Sequence, residues 1–240
     1  MIQPYEQDKL QQGYYTNIGT VLLRRDSSRE GQSLLLFLRD LGPRWVNAPG
    51  ASGGKNRFGG ATEPLIWAEF NLYQSPKSLT LQSAEVKEDF LSLRGQPEKL
   101  LTALRLYKHL PKMLIVGHES NNLLTLLWAS LVCLKENCPP AAVEFRFFWR
   151  VLQEQGLAPS LLTCSECGTK LENGAAWTPD GLKCTKCAAT ADIDAETLLI
   201  LRRAALLKHE QYLQWTDAKN YSAIFKEASK KLLSFFANFN

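Results

Sequence analysis

Residues 164–187 read CSECGTKLENGAAWTPDGLKCTKC and place four cysteines in two CxxC pairs that are separated by sixteen residues. A CxxC turn presents two thiolates from one tight loop, and a short ribbon can bring the second pair opposite the first. Tetrahedral zinc takes four thiolates at about 2.3 Å, and this spacing is typical of a zinc ribbon. The sequence therefore predicts one structural zinc ion, bound by Cys164, Cys167, Cys184 and Cys187.

Two other states of these cysteines are compatible with the spacing, namely two disulfides or four unliganded thiols. Disulfides are disfavoured because residues 1–10 are polar and lack the apolar core of a secretory signal, which predicts a cytoplasmic protein. A catalytic zinc is disfavoured because four cysteines leave no open coordination position. The three histidines, His109, His118 and His209, match no ligand spacing.

Helical patterns flank the ribbon on both sides. Predicted helices begin at Pro97, at Asn121 or Asn122, and at Pro139-Pro140, and the third of them ends at Gly156. After the ribbon, one helix is predicted from a cap at Asp192 or Asp194 to about Gln214, and a last one from about Asp217 to Phe236. We therefore expect a helical domain over residues 91–240, with the zinc ribbon inserted at about 160–190.

The first 90 residues have the pattern of a small β-domain. Residues 66–73 alternate between apolar and more polar side chains, as in a strand with one buried face. The predicted strands are Tyr14–Arg24, Ser33–Leu38, Arg44–Ala48, Leu65–Gln74 and Ser78–Val86. Five strands in about 75 residues favour a small barrel such as an OB-fold, although an SH3-like barrel would give a similar pattern. The predicted class is thus α+β and multidomain.

Basic residues are concentrated in one part of this β-domain. The chain of 240 residues carries a net charge of +4, and residues 24–57 alone contain seven basic and three acidic residues. Such clustering is typical of phosphate contacts, although a solvated loop face is the alternative. The candidate DNA-binding residues are Arg24, Arg25, Arg44, Lys55, Arg57 and Phe58. Trp45, Trp67 and Tyr73 are further candidates for stacking on bases.

Enzymatic and membrane classes find no support in the sequence. Gly53-Gly54-Lys55 is not a phosphate-binding P-loop, because Asn56 follows the lysine and no helix is predicted there. The carboxylates are dispersed along predicted helix faces, and no Ser-His-Asp or Cys-His set can be proposed. The longest apolar stretch, at residues 123–134, is too short to span a bilayer. We therefore expect a protein that is not an enzyme.

The third predicted helix offers a possible peptide site. Phe145, Phe148 and Leu152 form one apolar stripe, and Arg146 and Arg150 lie alongside it. An apolar groove rimmed by arginine suits a peptide that is both acidic and aromatic.

The order of these features resembles the RecO family of bacterial recombination mediators. The resemblance covers nearly the whole chain and rests on short motifs that occur in the expected order. They are 19–25, 34–38, Gly42, Gly50-Ala51, 57–60 followed by Glu63-Pro64, Leu72-Tyr73, 79–81, Ala84-Glu85, Phe90, Leu93-Arg94, 144–146, Leu152, Gly156 and 164–168. The resemblance departs at the glycine loop, where Pro49 stands in place of a basic residue and 51–54 are uncharged.

The resemblance implies an N-terminal OB-fold and a helical domain that carries a zinc module. It further implies a non-catalytic protein that binds single- and double-stranded DNA and anneals complementary strands. Its implied partners are RecR and the acidic C-terminal tail of single-stranded DNA-binding protein, and it would help to load RecA onto DNA in the nucleoid. Arg146 and Arg150 are the candidates for binding that tail. The alternative function is a protein-interaction scaffold with a zinc ribbon and little affinity for DNA.

Overall fold

Five strands form the N-terminal part of the chain. The computed structural model describes residues 10–26, 31–51 and 57–237. The strands are β1 (Gly13–Asp26), β2 (Gly31–Leu38), β3 (Gly42–Pro49), β4 (Trp67–Gln74) and β5 (Leu79–Glu88). All five predicted strands are present, and their ends differ from the prediction by no more than two residues.

The strands close into a barrel in the order β1-β2-β3-β5-β4, with β4 returning to β1. All neighbouring strands are antiparallel except β3 and β5, which run parallel and are joined at Asn47 and Thr80. A closed five-stranded barrel with this connectivity is an OB-fold, so the predicted fold is confirmed. The described part of the connection from β3 to β4 contains a 3-10 turn at Gly59–Thr62.

The barrel interior is built from alternate residues of each strand. Ala68, Phe70 and Leu72 of β4 are completely buried, as their alternation with more polar neighbours predicts. β1 crosses β2 so closely at Gly19 that a Cβ atom there would lie 2.0 Å from the carbonyl oxygen of Phe37. Only glycine fits this crossing.

Helices α1 (Pro97–His109) and α2 (Asn121–Lys135) follow the barrel. Pro97 occupies the first turn of α1, as predicted. The Tyr107 hydroxyl of α1 lies 2.9 Å from the Thr20 hydroxyl, which donates to the Ile66 carbonyl at 2.7 Å. The Trp128 ring of α2 packs edge-on against Trp67 at 4.8 Å. Both helices are therefore anchored on strands of the barrel.

The chain divides into two compact units, Met1–Leu131 and Val132–Asn240. The predicted boundary after residue 90 marks the change from strands to helices, and the division into units falls later, within α2. As a boundary between separately folding domains, residue 90 stays a prediction.

The described part of the second unit contains four further α-helices, one of which is central. They are α3 (Pro140–Glu154), α4 (Ala195–Leu206), α5 (His209–Leu213) and α6 (Ser222–Ala237), with the ribbon between α3 and α4. The central helix is α3, which is buried along almost its whole length. Gly156, with φ of 71°, follows its C-terminus as predicted, and Asp194 caps α4 by accepting from the Thr197 amide at 2.7 Å.

The helix predicted to run to Gln214 is in fact two helices, α4 and α5. The chain leaves the helical conformation at Leu207, whose ψ is 143°. The carbonyl oxygens of Ala204 and Ala205 accept from arginine side chains of α3 instead of from the next helical turn. The last helix likewise begins later than predicted, at Ser222, after a 3-10 turn at 216–221. Among the described helices, none has the length and apolar character required to cross a membrane.

Candidate metal centre and nucleic-acid surface

The four cysteines of the ribbon converge on one point. Their sulfur atoms all lie within 4.8 Å of one another, and the Sγ atoms of Cys167 and Cys184 are 3.7 Å apart. In a tetrahedral site with Zn–S bonds of about 2.3 Å, the sulfur atoms are about 3.8 Å apart. The cluster therefore has the dimensions and the ligand type of a tetrathiolate metal site.

Two tight turns hold the sulfur atoms in this arrangement. In the first, the Gly168 amide donates to the Cys164 carbonyl at 3.0 Å, and Gly168 has the left-handed φ of 71° that such a turn requires. In the second, the Cys187 amide donates to the Cys184 carbonyl at 3.0 Å. The hairpin of β6 (Ala176–Thr178) and β7 (Gly181–Lys183) leads directly into the second turn. This is the ribbon that the cysteine spacing predicts.

The backbone around the cluster stabilises negative charge on sulfur. Hydrogen bonds from the amides of Cys167 and Cys184 lower the pKa of Cys164 to about 6, and the Lys186 amide lowers the pKa of Cys184. The pKa of Cys187 is raised instead, first by its contact with Cys167 and then by Cys184. Four thiolates this close together repel one another, so full ionisation of the cluster requires a bound cation.

The position of the cluster suits a structural metal rather than a catalytic one. Cys164 and Cys184 are buried, and all four ligand positions are filled by sulfur, so a tetrahedral ion would keep no place for substrate. The ribbon is also tied to α4, because the Arg202 guanidinium donates to the carbonyls of Leu161 at 2.6 Å and Leu171 at 2.5 Å. Sequence reasoning missed Arg202, since nothing in its own helix marks it as a contact to the ribbon.

The arginine pair at the end of β1 is exposed, and its two members make different contacts. Arg24 forms an ion pair with Glu63. The Arg25 guanidinium lies 4.4 Å from the centre of the Trp45 ring. Both side chains remain accessible to a phosphate, because neither contact uses all five guanidinium donors.

The predicted residues of the glycine loop divide between exposed and buried positions. Arg57 is exposed and donates to the Gln82 carbonyl at 3.0 Å. Phe58 is 8% exposed and belongs to the barrel core. Its ring is therefore far less accessible than its position after a glycine-rich stretch suggests. Lys55 lies outside the described residues, as do its neighbours 52–54 and Asn56.

Arg44 is buried and hydrogen-bonded within the first unit. Its Nε donates to the Leu41 carbonyl and one Nη donates to the Gly117 carbonyl, each at 3.0 Å. These bonds fix the loop after β2 and the segment before α2. A contact from Arg44 to DNA stays a prediction, and its internal bonds give it a structural function in any case.

The stacking candidates separate in the same way. Trp67 is 7% exposed and packs against Trp128, so it is a core residue. Tyr73 packs against Tyr14, with ring centres 4.9 Å apart. Trp45 is half-buried and lines an open cleft on the barrel.

The two arginines of α3 are directed at the end of α4. Arg146 is 8% exposed, and its guanidinium donates to the carbonyls of Ala204 and Leu207, each at 2.6 Å. Arg150 is half-buried and donates to the carbonyls of Ala205 and Leu207 at 3.2 and 3.3 Å. The binding of a peptide by either side chain stays a prediction, and of the two Arg150 is the more accessible.

Comparison with known proteins gives a consistent result. The family model described as "Recombination protein O C terminal" matches residues 94–237. The DNA repair protein RecO of Desulforamulus reducens is 27% identical over 171 residues, which are 70% of this chain and 66% of that protein. The RecO protein of Desulfitobacterium hafniense is 26% identical over 178 residues, covering 73% of this chain and 65% of the relative. That of an Anaeromyxobacter strain is 31% identical over 159 residues, covering 65% and 62%. The matched region thus spans just under two thirds of the length of these relatives.

Proposed function

Because the chain belongs to the RecO family of DNA repair proteins, we propose that it is a non-catalytic recombination mediator that binds DNA through its N-terminal barrel. The proposed activity is binding of single- and double-stranded DNA and annealing of complementary strands. The observation that carries the proposal is the OB barrel itself, with Arg24, Arg25 and Arg57 exposed on it. OB barrels bind nucleic acid by combining a positive surface with exposed rings.

The proposed partners follow from this activity. A mediator acts on single-stranded DNA that is coated by single-stranded DNA-binding protein, and it works with RecR to load RecA there. We place this activity in the cytoplasm, at the nucleoid. A protein-interaction scaffold with little DNA affinity is the second candidate, favoured by the internal contacts of Arg44 and Phe58.

We also propose that the metal of the ribbon is a single zinc ion. Cys164, Cys167, Cys184 and Cys187 would hold it, and when bound it supplies a cross-link between the two turns. The two strands of the ribbon have only three residues each, and in so small a module a metal cross-link compensates for limited apolar burial.

Removing the basic side chains of the barrel is expected to weaken DNA binding and its dependence on salt. In the variant, Arg24, Arg25, Lys55 and Arg57 are all replaced by alanine. Affinity should fall for every sequence alike, because phosphate contacts carry no sequence information. The slope of log K against log salt should flatten by about one unit for each lost phosphate contact. The measurement is a titration of labelled single-stranded DNA at several salt concentrations.

The matched control removes the same amount of charge elsewhere. Arg94, Lys108, Lys112 and Lys226 are exposed, and their replacement by alanine changes the net charge equally. An unchanged slope in the barrel variant, or an equal loss in both variants, would contradict the proposed DNA surface. If the parent protein binds DNA negligibly even at low salt, the interaction-scaffold function is favoured instead.

An acidic tail peptide is expected to bind the second unit with help from Arg150. We expect Arg150→Ala to weaken peptide binding several-fold. The half-buried guanidinium of Arg150 supplies a positive charge, which speeds association with an acidic peptide and fixes its register. The test compares the acidic peptide with a neutral one, in which Asn and Gln replace Asp and Glu, on the parent, Arg146→Ala and Arg150→Ala. If the preference of the parent for the acidic peptide persists undiminished in both variants, the tail binds on another face.

A further inference from the structure

An open cleft of about 650 Å³ lies on the barrel between β3 and the turn that joins β4 to β5. Its lining includes Trp45 and Asn47 of β3, Gln74 at the end of β4, and Lys77 of the turn that follows. Gln12, which precedes β1, also lines the cleft. All of these residues belong to the first compact unit.

The strand register explains why these side chains are available on the outer surface. Val46 and Ala48 of β3 point into the barrel core, so the alternate residues Trp45 and Asn47 point outward. Asn47 is exposed, and Trp45 is half-buried.

The contact between Arg25 and Trp45 fixes the ring from one side. The guanidinium lies 4.4 Å from the ring centre, and Arg25 is absent from the described lining of the cleft. Arg25 thus holds the indole in place, and Trp45 itself still lines the cleft as a half-buried side chain. A ring held in place in this way loses little conformational entropy when a ligand stacks on it.

The chemistry of the lining matches a nucleotide. The indole supplies a flat apolar surface, and the carboxamides of Gln12, Asn47 and Gln74 can each donate and accept hydrogen bonds, as base edges require. Lys77 is exposed and supplies positive charge for a phosphate. No carboxylate is found among the lining residues that the structure describes, so nothing in this lining repels an anion.

An unpaired base can reach this cleft, whereas a base within a duplex cannot. Its volume is in the range of about 300–1,000 Å³ that suits compact ligands. A base inside a duplex is already stacked on both faces and cannot reach the indole, whereas an unpaired base can turn into the cleft. Phosphates of a duplex can still contact exposed arginines outside the cleft, such as Arg24 and Arg57.

We propose that this cleft is a subsite for single-stranded DNA, in which Trp45 stacks on an unpaired base and Lys77 contacts the adjacent phosphate. This inference rests on the proposed function and adds to it a preference for single strands, which it assigns to one place on the barrel. The carboxamides then hydrogen-bond to base edges, and the subsite gives a single strand an advantage that a duplex lacks.

The test measures Trp45→Ala and Trp45→Phe against a labelled single strand and a hairpin duplex of the same sequence. Trp45→Ala should bind the single strand about tenfold more weakly, which is the usual effect of losing one stacked base. Its affinity for the duplex and its salt slope should be unchanged, since stacking involves no ions. Trp45→Phe should retain most of the affinity. Lys77→Ala, in contrast, should flatten the slope on the single strand by about one unit.

Tyr14→Ala is the matched control, because Tyr14 is an 80% exposed ring on the same barrel outside the cleft. It should bind both DNAs like the parent. Circular dichroism and thermal unfolding establish that each variant is folded. The quenching of tryptophan fluorescence by the single strand should also be smaller in Trp45→Phe than in the parent.

Three outcomes would overturn the proposal. If Trp45→Ala binds the single strand like the parent, the cleft is not the subsite, and the proposed function still stands. If Trp45→Ala loses affinity for the single strand and the duplex equally, Trp45 supports the fold of the barrel and does not stack on an unpaired base. If the parent binds neither DNA at low salt, the proposed function fails and the subsite fails with it.

Discussion

Replacing Cys184 by serine is expected to remove the metal and to unfold the ribbon together. A serine oxygen is a poor zinc ligand, and for small zinc modules the free energy of metal binding, about 10–16 kcal/mol, is also the free energy of folding. The backbone bonds that lower the pKa values of Cys164 and Cys184 suit thiolate ligands, and serine cannot provide one. Metal analysis should give about one zinc per chain in the parent and close to none in Cys164→Ser or Cys184→Ser.

Cys133 and Cys138 provide the matched control. Both are buried cysteines outside the four-sulfur cluster, so Cys133→Ser and Cys138→Ser also remove one thiol each and should keep the metal. Limited proteolysis should then cut residues 160–190 rapidly in the two ligand variants only. A zinc content near zero in parent protein purified without chelator would reject the metal site, as would full metal content in Cys184→Ser.

Replacing Arg146 by alanine is expected to cost the second unit about 3 kcal/mol of unfolding free energy. The guanidinium makes two hydrogen bonds of 2.6 Å to the carbonyls of Ala204 and Leu207, and its centre lies 4.6 Å from that of the Tyr212 ring. Burial, and then the neighbouring charge of Arg150, lower the pKa of Arg146 to about 10, so the group is charged at neutral pH. Alanine would leave the last carbonyls of α4 without these donors.

Arg150→Ala is the comparison that separates this effect from a general loss of charge. Arg150 is half-buried and its bonds are longer, at 3.2 and 3.3 Å, so the expected loss is about 1 kcal/mol. Arg146→Lys should fall between the parent and Arg146→Ala, because a single ammonium cannot span both carbonyls as the planar guanidinium does. The measurement is urea unfolding followed by circular dichroism. Equal losses in the two alanine variants would contradict the assigned role of Arg146.

Local patterns made the barrel and the ribbon predictable from the sequence. The alternation in residues 66–73 determines which face of β4 is buried, and the cysteine spacing determines a two-turn ribbon. Each of these features can be read from a single short segment of the sequence, 66–73 for the strand and 164–187 for the ribbon. Family membership, seen in the sequence as an order of short motifs, is confirmed by the match over residues 94–237.

The remaining features depend on contacts between distant segments. No glycine or proline marks the end of α4 at Leu207, because the donors that satisfy its last carbonyls come from α3, more than fifty residues earlier. Phe58 follows a glycine-rich stretch, and its burial in the core becomes visible only once the barrel is closed. Trp45 similarly gains its cleft from the turn at Gln74–Lys77, which no pattern near residue 45 indicates.

The junction between β3 and β5 is the least extensive strand pairing of the barrel. Within the described residues, every other neighbouring pair of strands shares at least seven register positions, whereas β3 and β5 share only Asn47 and Thr80. Local opening is least costly where the fewest backbone hydrogen bonds must break. The cleft beside Trp45 includes Asn47 of this junction, so we expect any local opening of the barrel to widen the cleft first. If the cleft is the proposed subsite, we therefore expect a flexible single strand to enter it sideways along its length, without threading a free end.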